Sequence, residues 1–103
     1  MENQNLEVIM GLIVHGGNAK SYAMEAIQSA KAQQFEEAEK NIGMAKDALV
    51  EAHHTQTGLL TAEASGENTE ITLLMVHSQD HLMTSIAFTD LAEELVAIYK
   101  KIA

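Results

Sequence analysis

The segment Leu74-Met-Val-His-Ser-Gln-Asp-His-Leu-Met-Thr-Ser85 sets two imidazoles, a carboxylate and three hydroxyls into otherwise apolar chain. On a helix, His77 meets Asp80 three positions on and His81 four positions on, and Asp80 meets Thr84 in the same way. Polar groups in an apolar helix cost free energy unless they are paired, so a cluster of this size needs a reason. Three chemistries fit it. It could be a satisfied polar layer that fixes register or oligomeric state, as a core asparagine does. It could be a metal site built from His77, Asp80 and His81, although one turn offers at most those three ligands and nothing in the spacing makes them converge. Or an imidazole could act as a nucleophile, since its unperturbed pKa of about 6.5 leaves it largely neutral at neutral pH. A neighbouring carboxylate or hydroxyl could then fix which ring nitrogen is free, and Ser78, Thr84 and Ser85 could donate hydrogen bonds to an oxyanion. Composition and spacing do not choose between a polar layer and a nucleophile.

A second group, Glu51-Ala-His-His54, has the Glu-x-x-His spacing of di-iron bundles. Such sites use two copies of that motif and two further glutamates, and no second copy is present here. His53 and His54 are therefore read as structural residues at a helix seam. His15, beside Gly16 and Gly17, has no assignment.

The elements that must position these residues are helices. Proline is absent, and alanine, leucine, methionine, glutamate, glutamine and lysine dominate, the residues that lose least side-chain freedom in a helix. Two breaks divide the chain, one near Gln33–Gln34 and one at Ala64-Ser-Gly-Glu-Asn-Thr69. Helices are expected at about 5–32, 35–64 and 69–101, with Asn68 or Thr69 capping the third and Glu70 in its first turn. Helix two carries a seam of Phe35, Ala38, Ile42, Ala45, Leu49, Ala52, Gln56 and Leu59. Helix three carries one of Ile71, Leu74, Ser78, His81, Ser85, Phe88, Ala92, Leu95 and Tyr99, the 3–4 spacing of a helical bundle. In helix one, Leu6, Ile9 and Ile13 lead into Gly16-Gly17, and Ala23, Ile27 and Ala30 continue. Paired glycines cost roughly 1 kcal/mol each in a helix interior, which points to a kink or a close helix–helix contact. A second stripe on helix three, Leu73, His77, Asp80, Thr84, Ala87, Leu91 and Ile98, has no place inside one three-helix bundle. It predicts a homo-oligomer, the alternative being a wide core-facing stripe in a monomer.

The 103 residues make one domain, 1–103, of the all-α class: three long antiparallel helices. Fifteen acidic residues against six lysines and no arginine give a net charge of −9, which excludes nucleic-acid binding and disfavours an anionic membrane surface. Without arginine there is no bidentate phosphate clamp, so any phosphate must be held by lysine, hydroxyls, amides, imidazoles or a metal. Cysteine is absent, which removes disulfides and thiol chemistry. The polar opening Met-Glu-Asn-Gln-Asn is unlike a signal peptide and Leu6–Val14 is too short to span a bilayer, so no direct membrane insertion and a cytoplasmic location are expected.

The run Val76-His-Ser-Gln-Asp-His-Leu-Met-Thr-Ser85 closely resembles the active-site segment of the lactose/cellobiose-type enzyme IIA of the bacterial sugar phosphotransferase system. So do Glu51-Ala-His53 with Gln56-Thr57, the Glu63-Ala-Ser-Gly66 turn, and Met10-Gly-Leu-Ile13 with Gly16-Gly17. The likeness spans essentially the whole chain, in order and with matching spacing. It implies a subunit that assembles into a homotrimeric helical bundle. It also implies a phosphotransferase component in which a histidine takes a phosphoryl group from the phosphocarrier HPr. That group passes to the cysteine of a cognate IIB protein, which phosphorylates a disaccharide (cellobiose, lactose or a related β-glucoside) as the membrane component IIC imports it. By position, His77 matches the phosphorylated histidine. Asp80 matches the aspartate that, from three subunits, surrounds a metal ion on the trimer axis, for which magnesium or another divalent cation is expected. His81 and Gln56 are candidate phosphate or partner contacts. The histidine phosphotransfer domains of signalling relays are an alternative of another class, but they usually place lysine and glycine soon after the histidine. Here Ser78, Gln79, Asp80 and His81 follow, with no lysine before Lys100. A purely structural trimeric adaptor, with the patch as a register device, is the other alternative.

Overall fold

The computed structural model describes residues 3–103, with side chains from residue 6 onward. Three helices, α1 (Asn3–Lys31), α2 (Phe35–Ala64) and α3 (Leu73–Ile102), run side by side along a body of 52 × 21 × 18 Å. The cross-helix pairs fix the directions. Gln56 meets Gln79 and Lys46 meets Glu93, so α2 and α3 are antiparallel, while Gly16 meets His81 and Lys20 meets Phe88, so α1 and α3 are parallel. The bundle is thus up-down-up. α1 packs along both partners, whereas α2 and α3 touch each other much less. None of the helices is long and apolar enough to cross a membrane among the described residues.

The connections explain the boundaries. At the end of α1 the Gln34 N–H donates to Ser29 O at 2.9 Å and the Gln33 N–H to Ala30 O at 3.0 Å, a Schellman motif with Gln33 in the left-handed region at φ +62°. The end of α2 repeats it, with Glu67 N–H on Ala62 O and Gly66 at φ +95°, where glycine carries no Cβ penalty. α3 starts at Leu73, four residues later than expected. Its cap is Thr72, whose hydroxyl accepts from Met75 N–H at 3.1 Å, not Asn68 or Thr69, and Glu70 lies outside the helix.

Alanine is the commonest residue of the core, set among a few larger aliphatic side chains. Ala19, Ala23, Ala26 and Ala30 of α1 are buried with Ile9 and Leu12, against Ala38, Ile42, Ala45, Leu49 and Ala52 of α2 and Leu82, Ala92 and Val96 of α3. The expected α2 seam is the one observed, with Phe35 and Leu59 partly buried at its ends. In α1 the line runs through Leu12, Ala19 and Ala26 as well as Ile9, Ala23 and Ala30, leaving Leu6 exposed. In α3 the buried line is Met75, Ser78, Leu82, Ser85, Thr89, Ala92 and Val96. Three members of the expected seam (Ser78, Ser85 and Ala92) lie on that line, Leu74, His81, Phe88 and Tyr99 form its half-buried shoulder, and Ile71 and Leu95 are exposed. The second stripe is exposed throughout, with Leu73 at 85%, Leu91 at 64% and Ile98 at 54%.

The α3 cap separates the two possible helix starts. Thr72→Ala should cost about 1 kcal/mol and lower the melting temperature by about 5 °C. Thr69→Ala should stay within about 0.5 kcal/mol of the parent, as a surface change away from such features does. Thermal unfolding followed by circular dichroism gives the two values, and the reverse order would move the start of α3 back to residue 69.

Candidate functional site

α3 divides the polar patch between its two sides. Ser78 and Ser85 are fully buried, and their hydroxyls donate to Met75 O and His81 O, each at 2.7 Å. Exposed Thr84 donates to Asp80 O at 2.9 Å and His81 O at 3.2 Å. A hydroxyl has one proton to give, and here each is spent on a carbonyl of its own helix. Within the subunit the hydroxyls of Ser78, Thr84 and Ser85 thus serve the backbone of α3. Thr84 also fails to reach the Asp80 carboxylate and bonds the backbone instead.

His77 stands exposed on the other side, and His81 lies half-buried beside it. Their rings stack with centroids 5.9 Å apart and planes 25° apart. Below His81, α1 comes so near that a Cβ on Gly16 would stand 3.1 Å from its Cδ2. The glycine pair lies where α1 closely approaches α3, and α1 continues through it as one helix. Among the described residues neither ring makes a side-chain hydrogen bond, so the ring nitrogens are not committed within the subunit. That is the condition a nucleophilic imidazole needs.

Asp80 is exposed on the same side, and its carboxylate has no ion pair among the described residues. No group of three or more histidine, aspartate or glutamate side chains able to hold a metal occurs among the described residues. His77, Asp80 and His81 therefore do not form a metal site within one subunit, and neither does Glu51-Ala-His-His54. His53 and His54 are both exposed, not seam residues. His53 lines an open groove between α2 and α3 with Val50, Ile86 and Thr89, whose buried hydroxyl has no partner.

Gln56 is not brought to His77. Its amide nitrogen donates to Gln79 Oε1 at 2.8 Å and lies 3.6 Å from Met83 Sδ, at a buried position between α2 and α3. Gln79 follows His77 by two residues, roughly 200° around the helix, so this pair serves the opposite side of α3. Sequence reasoning passed over Gln79, and only a packed partner on α2 could have marked it. The small cavity beneath the 65–72 connection, about 130 Å³, is lined by this pair with Leu59, Leu60, Glu63, Thr69, Ile71 and Met75, and by neither histidine.

Charge is sparse near the rings. Lys46 pairs with Glu93 at 2.7 Å and Lys100 with Glu39 at 2.6 Å, both exposed and toward the other end of α3. The hydrogen bond to Glu93 holds the Lys46 ammonium above its ordinary pKa, helped by the charges of Glu93, Asp90 and Glu39 and opposed by desolvation. Lys20, one turn along α1 from Gly16, lies over the Phe88 ring at 5.8 Å.

With this geometry in place, likeness to known proteins is informative. Residues 7–100 match the family described as PTS system, Lactose/Cellobiose specific IIA subunit. The chain is 49% identical over 102 residues to the lichenan-specific phosphotransferase enzyme IIA component of Bacillus subtilis, covering 99% of this chain and 93% of that one. It is 55% identical over 89 residues to the cellobiose-specific EIIA component of Lactococcus lactis, covering 86% and 77%. Among solved structures, the cellobiose-specific enzyme IIA of Bacillus anthracis superposes with a TM-score of 0.94 at 46% identity, over 99% of this chain and 94% of that one. The chitobiose IIA subunit of Escherichia coli, solved in complex with HPr, gives 0.83 at 37%, over 99% and 98%. The chain belongs to the lactose/cellobiose-specific IIA family, phosphotransferase components of the sugar transport system of that name.

Proposed function

We propose that this subunit is a phosphoryl carrier in which His77 takes the group from HPr and hands it to a IIB protein. The observation that carries the reading is the His77 ring itself: exposed, uncommitted through its nitrogens, and stacked on a second imidazole. In the first step a ring nitrogen of neutral His77 attacks phosphorus. The bond from phosphorus to the HPr histidine breaks as the bond to His77 forms, and the electron pair returns to the HPr ring. In the second step a cysteine thiolate of IIB attacks the same phosphorus, and the His77 ring leaves neutral. Such transfers need little from the protein beyond alignment and charge stabilisation. His81 is near enough to serve as a second imidazole at the phosphoryl oxygens, whereas the Gln56 amide nitrogen bonds Gln79 on the opposite side of α3. HPr as donor is supported by the solved complex of the chitobiose relative. Membership of the family supports IIB and IIC as partners, a cytoplasmic location and a disaccharide of the cellobiose or lactose class.

Assembly is the second part of the proposal. Asp80 shares its exposed stripe with Leu73, Leu91 and Ile98, and Met10 and Val14 of α1 add further exposed apolar area. A threefold arrangement of α3 would cover that stripe and bring three Asp80 carboxylates together. Clustered carboxylates are hard oxygen donors that repel when uncompensated, so the residues fit a divalent cation such as magnesium. When bound, the cation would supply charge neutralisation at the axis. The chain's own part is to hold Asp80 one turn from His77, on the helix that carries both.

Incubation with phosphoenolpyruvate, enzyme I and HPr should place an acid-labile phosphate on the wild type and none on His77→Ala; equal uptake by the variant would overturn the assignment. Asp80→Leu should keep or strengthen the trimer in sedimentation experiments, because three repelling carboxylates become apolar contacts, and it should no longer bind the cation. A monomeric variant, or one that retains the metal, would refute the axial position.

A further inference from the structure

The glycine pair of α1 touches the site without taking part in the transfer. A Cβ on Gly16 would meet His81 Cδ2 at 3.1 Å, Ser85 Oγ at 3.4 Å and His81 Nε2 at 3.6 Å, and one on Gly17 would meet His81 Nε2 at 3.4 Å. The other helical glycines, Gly11, Gly43 and Gly58, have nothing within 4 Å of that position. Glycine is disfavoured in a helix interior, so Gly16 is held against local propensity where a ring needs the space. That ring is stacked on His77. Ser85 closes one side of the seat, being fully buried with its hydroxyl tied to the His81 carbonyl. An added methyl would therefore drive the His81 ring outward, toward the exposed side where His77 stands. We propose that Gly16 is a positioning residue for His77, acting through His81: the missing Cβ seats the His81 ring, and that ring sets the orientation of the phosphoryl-accepting one. The inference rests on the reading of His77 as the acceptor.

The test compares Gly16→Ala with Gly43→Ala, a helical glycine with open space, in the full-length chain. Two quantities are read: the rate of phosphoryl transfer from phosphorylated HPr at several HPr concentrations, and the ring resonances of His77 by NMR in the absence of phosphate. Gly16→Ala should lower the maximal rate about tenfold, as sub-ångström misplacement of a reacting group does, with the dependence on HPr concentration unchanged. It should also shift the His77 ring signals, while Gly43→Ala leaves both readings at wild type. In a His81→Ala background, Gly16→Ala should cause no further loss. A wild-type rate with unshifted His77 signals, or an equal loss with His81 already removed, would overturn the proposal. If circular dichroism shows that Gly16→Ala does not fold, Gly17→Ala is read against the same criteria. Should the wild type take no phosphate, the carrier reading fails, and the His77 resonances still decide whether Gly16 governs the ring.

Discussion

The nearness of α1 to both of its neighbours sets the rest of this structure. Its inner line is largely alanine, and it meets further alanines on α2 and α3. With aromatics at only 4% of the chain, no large ring fills the interior. Cohesion comes from many dispersion contacts between helices brought close together, each contact worth a tenth or two of a kcal/mol by itself. Alanines share the interior with Ile9, Leu12, Ile42, Leu49, Leu82 and Val96, and α3 carries Leu73, Leu91, Ile98 and Ile102 on the outside. The same nearness puts the α1 backbone under His81, so the contact that closes the core also supports the pair of imidazoles.

Much of this was legible in residue order. The α2 seam could be read residue by residue because its apolar positions alternate with charged or polar ones along the helix. α3 was harder because it is apolar on two sides. Spacing alone could not say which of two adjacent lines faces inward, and the buried line runs through Met75 and Val96 where Leu74 and Leu95 are equally good candidates. The late start of α3 was hidden because Asn68, Thr69 and Thr72 are all competent caps, and the choice depends on which hydroxyl meets a free N–H. At the first turn Gln33 takes the left-handed position that glycine usually marks, so the break carried no strong signal.

The candidate site divides along similar lines. The motif located His77 and Asp80, because polar residues in an apolar helix stand out whatever the tertiary structure. It could not show where the hydroxyls of Ser78, Thr84 and Ser85 point. A serine four residues after a carbonyl can serve its own helix or a ligand, and only the fold decides. Nor could the order of residues pair Gln56 with Gln79, or Gly16 with His81, since each pair joins helices far apart in the chain. The family likeness carried the function, and the structure added the geometry around the ring.

The exposed apolar line on α3 has a thermodynamic consequence. A native state that gains a partner on such a surface, when the unfolded chain gains none, is stabilised by mass action, in proportion to the logarithm of the free partner concentration. Stability is then no fixed property of the sequence. For a chain that associates through such a surface, dilution would lower the melting temperature, and a value measured at one concentration would describe that concentration alone. If that line is covered by a partner, folding and association would be linked, and the core would need to supply only part of the free energy.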